Sequence, residues 1–212
     1  MYFATLLAAL ALTGVLPIVT EHPQATPTKC ELHIWPAAQL SGLAFRLGVI
    51  RGRATEGQIV GAMDDLLSPE AQLAALREVD FSRELRVPAD TVRIEHAEPL
   101  DAKTANKIKT RRSDSTSNCY YELIMVEHYL TEDIVWGDRF GSIFIFRSFG
   151  DKAVAQQSQK GTGGNKLKVF TQAESARTAD TPQIVAAAVR GNFLEYAKNA
   201  RGRMPAVSPA KR

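Results

Sequence analysis

Cys119-Tyr-Tyr-Glu-Leu-Ile-Met-Val-Glu-His-Tyr-Leu130, with Gly141-Ser-Ile-Phe-Ile-Phe-Arg-Ser-Phe149 shortly behind it, is the part of the sequence that decides the fold. Both runs are rich in aromatic and β-branched residues, which suit a pleated, buried surface. In the first, Ile124 and Val126 alternate with Leu123 and Met125, so apolar side chains are expected on both faces, as in a strand covered from both sides. Residues 131 to 140 between the runs contain Gly137 and Asp138 and can close a hairpin.

Upstream, Cys30-Glu-Leu-His-Ile-Trp35 alternates in the same way, with Leu32 and Ile34 on one face and Glu31, His33 and Trp35 on the other. Pro36 is expected to end this strand and open a helix carrying Leu40, Leu43, Ala44 and Leu47 at helical spacing. A second helix is expected after Thr55, with Ile59, Val60, Met63, Leu66 and Leu67. A third opens at Ser68-Pro69-Glu70, where the serine can cap, the proline fits the first helical position and the glutamate suits the positive end of the dipole. Residues 91 to 97 read as a strand with Val92, Ile94 and His96 opposite Arg93 and Glu95. Residues 101 to 118 and 151 to 165 are polar and read as flexible loops, with a short edge strand over 167 to 170. Thr181-Pro182 opens a last helix that uses Ile184, Val185, Ala188, Val189, Phe193 and Tyr196 and ends near Gly202. The order of strand, helices, strand, hairpin and helix predicts an α+β domain over residues 26 to 200. It has a small mixed sheet of about four strands with helices packed on it, and a disordered basic tail over 201 to 212.

The chain has 212 residues and a formal net charge of +3, too small and too dispersed for the positive stripe that nucleic-acid binding needs. No nucleic-acid partner is expected. Residues 3 to 19, FATLLAALALTGVLPIV, carry no charge and are followed by a polar stretch, the shape of a secretory signal. Export is the expectation for residues 1 to 25, and a retained membrane anchor is the alternative. Lipidation at Cys30 is not expected, because Pro27, Thr28 and Lys29 precede it. In an oxidising compartment Cys30 and Cys119 are expected to pair, the alternative being two separate buried thiols. Both stand at the beginnings of strands, so a bridge would favour those strands running parallel, as neighbours or nearly so, with their Cα atoms within about 7 Å.

For chemistry, His33, His96 and His128 fall on predicted strands with Glu31, Glu95 and Glu127 nearby, and adjacent strands could converge them on a metal. No pair has the spacing of a zinc motif, and an inward histidine is commonly a satisfied core residue. Gly161-Thr-Gly-Gly-Asn-Lys166 lacks the ending of a phosphate-binding loop, there is no nucleophile elbow, and no motif asks for a cofactor. The basic residues Lys103, Lys107, Lys109, Arg111 and Arg112 could touch an anionic lipid or polymer, a peripheral membrane contact, although a solvated charged loop explains them too.

Cys30-Glu-Leu-His-Ile-Trp-Pro36, Glu98-Pro-Leu100, Cys119-Tyr-Tyr-Glu-Leu-Ile124 and Phe144-Ile-Phe-Arg-Ser-Phe-Gly150 together resemble a set of uncharacterised exported proteins of Gram-negative bacteria, over residues 30 to 150. The resemblance implies an envelope setting and no known activity. The order of elements is also similar to the small α+β domains of periplasmic assembly lipoproteins such as the curli secretion and TolB amino-terminal families, an analogy of fold alone. The expectation is a periplasmic or membrane-associated module that binds an envelope protein without catalysis. A metal-assisted hydrolase using the histidines and an anionic-surface binder are the alternatives.

Overall fold

The computed structural model describes residues 29–38, 40–44, 56–133, 137–167, 169–170 and 177–203. The opening apolar tract, Leu47, Trp136 and most of the basic tail lie outside them. Six strands form one mixed sheet in the order β3-β1-β4-β5-β6, with β2 also paired to β4. β1 (Glu31–Trp35) lies parallel to β3 (Val92–Glu95) on one side and to β4 (Tyr120–Asp133) on the other. β4 and β5 (Gly137–Gly150) form the expected hairpin, and β6 (Gln157–Lys166) continues antiparallel beyond it.

The expected bridge is present. Cys30 and Cys119 are joined with their Cα atoms 4.5 Å apart, one residue before the Glu31–Tyr120 register of β1 and β4. The fold is the expected α+β class. All five helices that follow are α1 (Glu56–Leu66), α2 (Pro69–Ala75), α3 (Phe81–Leu85), α4 (Ala102–Lys107) and α5 (Thr181–Arg201), counted among the described residues. The Ser68 side chain accepts a hydrogen bond from Ala71 N, so the capping signal at α2 was read correctly. α5 lies across β5 and β6, and α2 and α3 pack against it. Leu32, Ile34, Leu123, Met125, Phe144 and Phe146 turn to this side and meet Phe193, Tyr196 and Val189 of α5 in one core. Each large side chain so enclosed contributes about 1.5 to 3 kcal/mol. The other face carries a smaller cluster of Trp35, Ile124, Val126 and Ile145, closed by Ala105 of α4.

Three expectations are corrected. The helix expected after Pro36 is a strand, β2 (Leu40–Ala44), parallel to β4. β4 runs for fourteen residues whereas β1 covers only its first part, so the rest of that edge is open to a further strand. The register shifts between Leu40 and Leu43, which oppose His128 and Leu130. Three residues against two give the apolar positions a spacing that imitates a helix, and Gly42 weakens the helical competitor.

The segment 101 to 118 is not a free loop. It holds α4, whose Asp101 side chain accepts from Thr104 N, and Ala105 is fully enclosed. Arg111 donates to the carbonyls of Ser115, Gly150 and Lys152, and lies over the Tyr120 ring.

The Gly-rich segment expected as a mobile loop forms most of β6, and 167 to 170 add no strand among the described residues. Its glycines serve close approach. A Cβ at Gly163 would stand 1.8 Å from the Asn192 carbonyl oxygen of α5, and one at Gly161 would stand 3.0 Å from the Tyr196 ring.

Two glycines should therefore respond in opposite directions to alanine. Gly163→Ala pushes backbone against backbone and is expected to cost about 3 kcal/mol. Gly61→Ala, on α1 with nothing within 4 Å of the added carbon, should gain about 0.5 to 1 kcal/mol. Urea unfolding of the two variants measures both, and equal small effects would contradict the close packing of β6 on α5.

Candidate functional site

Polar chemistry concentrates on the sheet face away from α5. β1 alternation brings His33 and Trp35 to that face, and the chain leaving β3 brings His96. His33 Nε2 lies 3.0 Å from Glu31 Oε2, and His33 Nδ1 lies 2.8 Å from His96 Nε2. A carboxylate only accepts, so His33 Nε2 carries a hydrogen. Its other ring nitrogen, Nδ1, shares a hydrogen bond with His96 Nε2. Ser115 donates its hydroxyl to the same Glu31 oxygen. The rings form a stack in which Trp35 and His96 lie face to face with their centroids 4.1 Å apart and their planes nearly parallel, with the Tyr120 ring 4.6 Å from His33.

Burial pushes the Glu31 carboxyl up, but hydrogen bonds from Ser115 and His33, with the charges of His33 and Arg111, outweigh it and hold the group low. Burial, then the neighbouring His33, pulls the His96 imidazole down. The result is a hydrogen-bonded chain in which Ser115 and His33 converge on the Glu31 carboxylate and His96 extends it beyond His33.

Next to it sits a buried charge cluster that the sequence reading missed. Glu122 is fully enclosed, its Oε1 accepting from Arg112 N at 2.9 Å and from the Tyr120 hydroxyl at 3.1 Å. The guanidinium of Arg147 stands 3.6 Å from Glu122 Oε2 and that of Arg112 stands 3.9 Å away, and they also donate to the carbonyls of Ala105 and Thr104 respectively. Burial dominates here: it raises Glu122 and lowers Arg112, with the attraction between them opposing both shifts. The available signal was the glutamate itself, set inside an otherwise apolar strand at an alternation that faces the core.

The three candidate histidines do not converge. His33 and His96 meet, whereas His128 lies on the α5 side of the sheet. A bulge in β4 between Met125 and Glu127 explains the separation. Plain alternation would put His128 on the face of Glu122 and Ile124, and the extra residue turns it to the opposite face. There its Nδ1 shares a hydrogen bond with Ser142 at 2.8 Å, Ser142 accepts from Asn192 of α5 at 2.9 Å, and the ring stacks on Phe140.

Glu95 faces α2, paired with Arg77 and Arg93, and Glu127 lies past the bulge. Among the described residues no group of three histidine, cysteine or acidic side chains is placed to hold a metal ion. Two of the five basic residues proposed for an anionic surface, Arg111 and Arg112, are turned inward onto carbonyls. No helix among the described residues is long and apolar enough to cross a membrane.

Two clefts remain. One, of about 220 Å³, lies between α3 and the start of β3, beside Phe81, Val87 and Arg93. The other, of about 360 Å³, lies between β6 and the end of α5.

No family model and no curated protein matches the chain. A solved structure of a hypothetical protein from Chlamydia trachomatis is similar at 9% sequence identity and a TM-score of 0.35, covering 82% of this chain and 95% of that one. A likeness at that level bears on neither activity nor partner.

The buried His128 gives a pH signature. Burial pushes its imidazole down from 6.5 to about 4, so as pH falls the unfolded chain takes up the proton before the folded one does. Its contribution to stability is complete above about pH 6.5 and is lost progressively toward pH 4, a span of about 3 kcal/mol. His128→Gln can keep the bond to Ser142 but cannot titrate. The difference in unfolding free energy between the two proteins should shrink across this window, and a constant difference would contradict the assignment.

Proposed function

We propose that the chain is an exported cell-envelope protein that acts as a non-catalytic interaction or assembly module, in the periplasm or at a membrane face toward it. The observation that carries the reading is the bridge between Cys30 and Cys119, which ties two neighbouring strands at the centre of the sheet. Structural disulfides of this kind persist where the compartment is oxidising, and the uncharged tract over residues 3 to 19 is the sequence feature suited to deliver the chain there.

The non-catalytic part is supported by how the reactive groups are used. His33, His96 and Glu31 satisfy one another under a stacked tryptophan, His128 is enclosed beneath α5, and Glu122 is walled in by two guanidiniums and a tyrosine. Glu122 and His128 are buried out of reach of an incoming substrate, and His33 is engaged by both Glu31 and His96, an arrangement poorly suited to acid, base or metal-ligand work. The outer edge of β6, which pairs with no other strand among the described residues, is by contrast a surface another chain can use along its uncapped half.

Subcellular fractionation with intact-mass measurement tests the reading. The expected species is in the envelope fraction, lacks a leader of about 25 residues, and is lighter by two hydrogens than its reduced form. Full-length protein in the soluble cytosol with both thiols free would overturn it.

A further inference from the structure

The sheet ends at β6, a ten-residue strand whose outer edge pairs with no other strand among the described residues. Such an edge is a template for another extended chain, and proteins that do not use it bulge it, shorten it or cap it. The two halves of β6 are treated differently. Toward Lys166 the edge is capped: Gly164 N donates outward to the Glu195 carboxylate at 2.7 Å, and the Arg139 guanidinium approaches the Gly164 carbonyl at 3.5 Å.

Successive residues of a strand offer their backbone groups to opposite neighbours, so Thr162, Lys160 and Ser158 share the outward direction of Gly164. These three are exposed. Alongside them runs the cleft of about 360 Å³, with Gln159 and Gly161 on the β6 side and Tyr196, Asn199 and Arg203 on the α5 side. Tyr196 forms a fixed floor, because its hydroxyl donates to the Gln159 carbonyl at 2.8 Å. The charged residues of the lining are Lys160 and Arg203, with no carboxylate. Lys160 reaches Asn106 on the other side of the sheet, so Arg203 is the cation of the lining on the α5 side, and its backbone carbonyl accepts from Gln159 Nε2 at 3.2 Å across the cleft.

From this juxtaposition of an open strand edge, a polar cleft and an unbalanced cation we infer that β6 takes an extended, carboxylate-bearing peptide segment of a partner protein as an added strand along Ser158 to Thr162. The added backbone pairs with the outward amides and carbonyls, and alternate side chains enter the cleft, where a carboxylate meets Arg203. A second copy of the chain fits worse. Antiparallel pairing of two copies along this open half would set Lys160 of one edge against Lys160 of the other, and like charges facing each other across a strand pair are destabilising. The inference rests on the interaction-module reading and names the partner chemistry for it.

The test uses the full oxidised chain and two labelled synthetic peptides, one alternating valine with threonine and glutamate, the other with lysine in place of glutamate. Fluorescence anisotropy at low salt should show saturable binding of the acidic peptide, at least about tenfold tighter than the lysine peptide. Arg203→Glu should remove that preference. Thr162→Pro deletes an outward N–H while leaving the ladder to β5 intact, and should abolish binding. If that variant does not fold, Arg203→Glu at its exposed site decides alone.

Amide exchange supplies a second readout: the outward amides of Ser158, Lys160 and Thr162 should exchange fast in the free chain and slow with the acidic peptide bound, while those of Gln159 and Gly161, turned to β5, stay protected in both. Equal binding of both peptides, no saturable binding, or an edge already protected in the free chain by its own residues or by a second copy would each overturn the inference. None of these results touches the envelope assignment, which fractionation decides separately.

Discussion

The structure depends on how one short strand is held. β1 has five residues and lies parallel between β3 and β4, so neither of its neighbours can be reached by a tight turn. The chain must leave the sheet and return twice before the ladder around β1 is complete, and each closure costs entropy before any contact repays it. The Cys30–Cys119 bridge spans a sequence separation of 89 residues and fixes that pairing at its first rung. In the chain-entropy model a loop of this size is worth about 4 to 5 kcal/mol, a large part of a small domain's stability.

Once β1 is placed, its alternation sorts the molecule into two sides. Leu32 and Ile34 join the main core under the helices, and His33 and Trp35 join the polar and aromatic cluster behind it. The short length of β1 also leaves the far part of β4 open, which is where β2 pairs. The two faces then differ in kind. The helical face is apolar apart from local networks such as His128, Ser142 and Asn192, and Gln72, which bonds both backbone groups of Ala37. The opposite face encloses Glu122 with Arg112 and Arg147, where solvation is lost by both signs of charge. Removing one member would leave the others unbalanced, so the cluster acts as a constraint on how 101 to 118 lies over the sheet.

Local signals were legible in the sequence wherever one residue type answered one physical need. Ser68, Pro69 and Glu70 marked α2, the apolar alternation marked β1, β4 and β5, and the paired cysteines marked the parallel neighbours. What could not be read required knowing a partner. Leu40 to Ala44 look helical until the vacant edge of β4 is known to exist. Gly161 and Gly163 look like part of a flexible loop until α5 is laid against them, when absence of a side chain becomes the condition for contact. Arg111 and Arg112 look solvated until the carbonyls that receive them are in place. His128 could join His33 and His96 only if plain alternation held along β4, and a one-residue bulge reverses every face beyond it.

The central claim is that the bridge holds β1 in the sheet, and comparing the oxidised chain with the Cys30→Ser/Cys119→Ser chain by urea unfolding and amide exchange tests it most directly. The account predicts a loss of about 4 kcal/mol, with the amides of β1 and β3 losing protection before those of β4 and β5. Equal stability, or a loss of protection that begins in the β4–β5 hairpin while β1 stays closed, would contradict it.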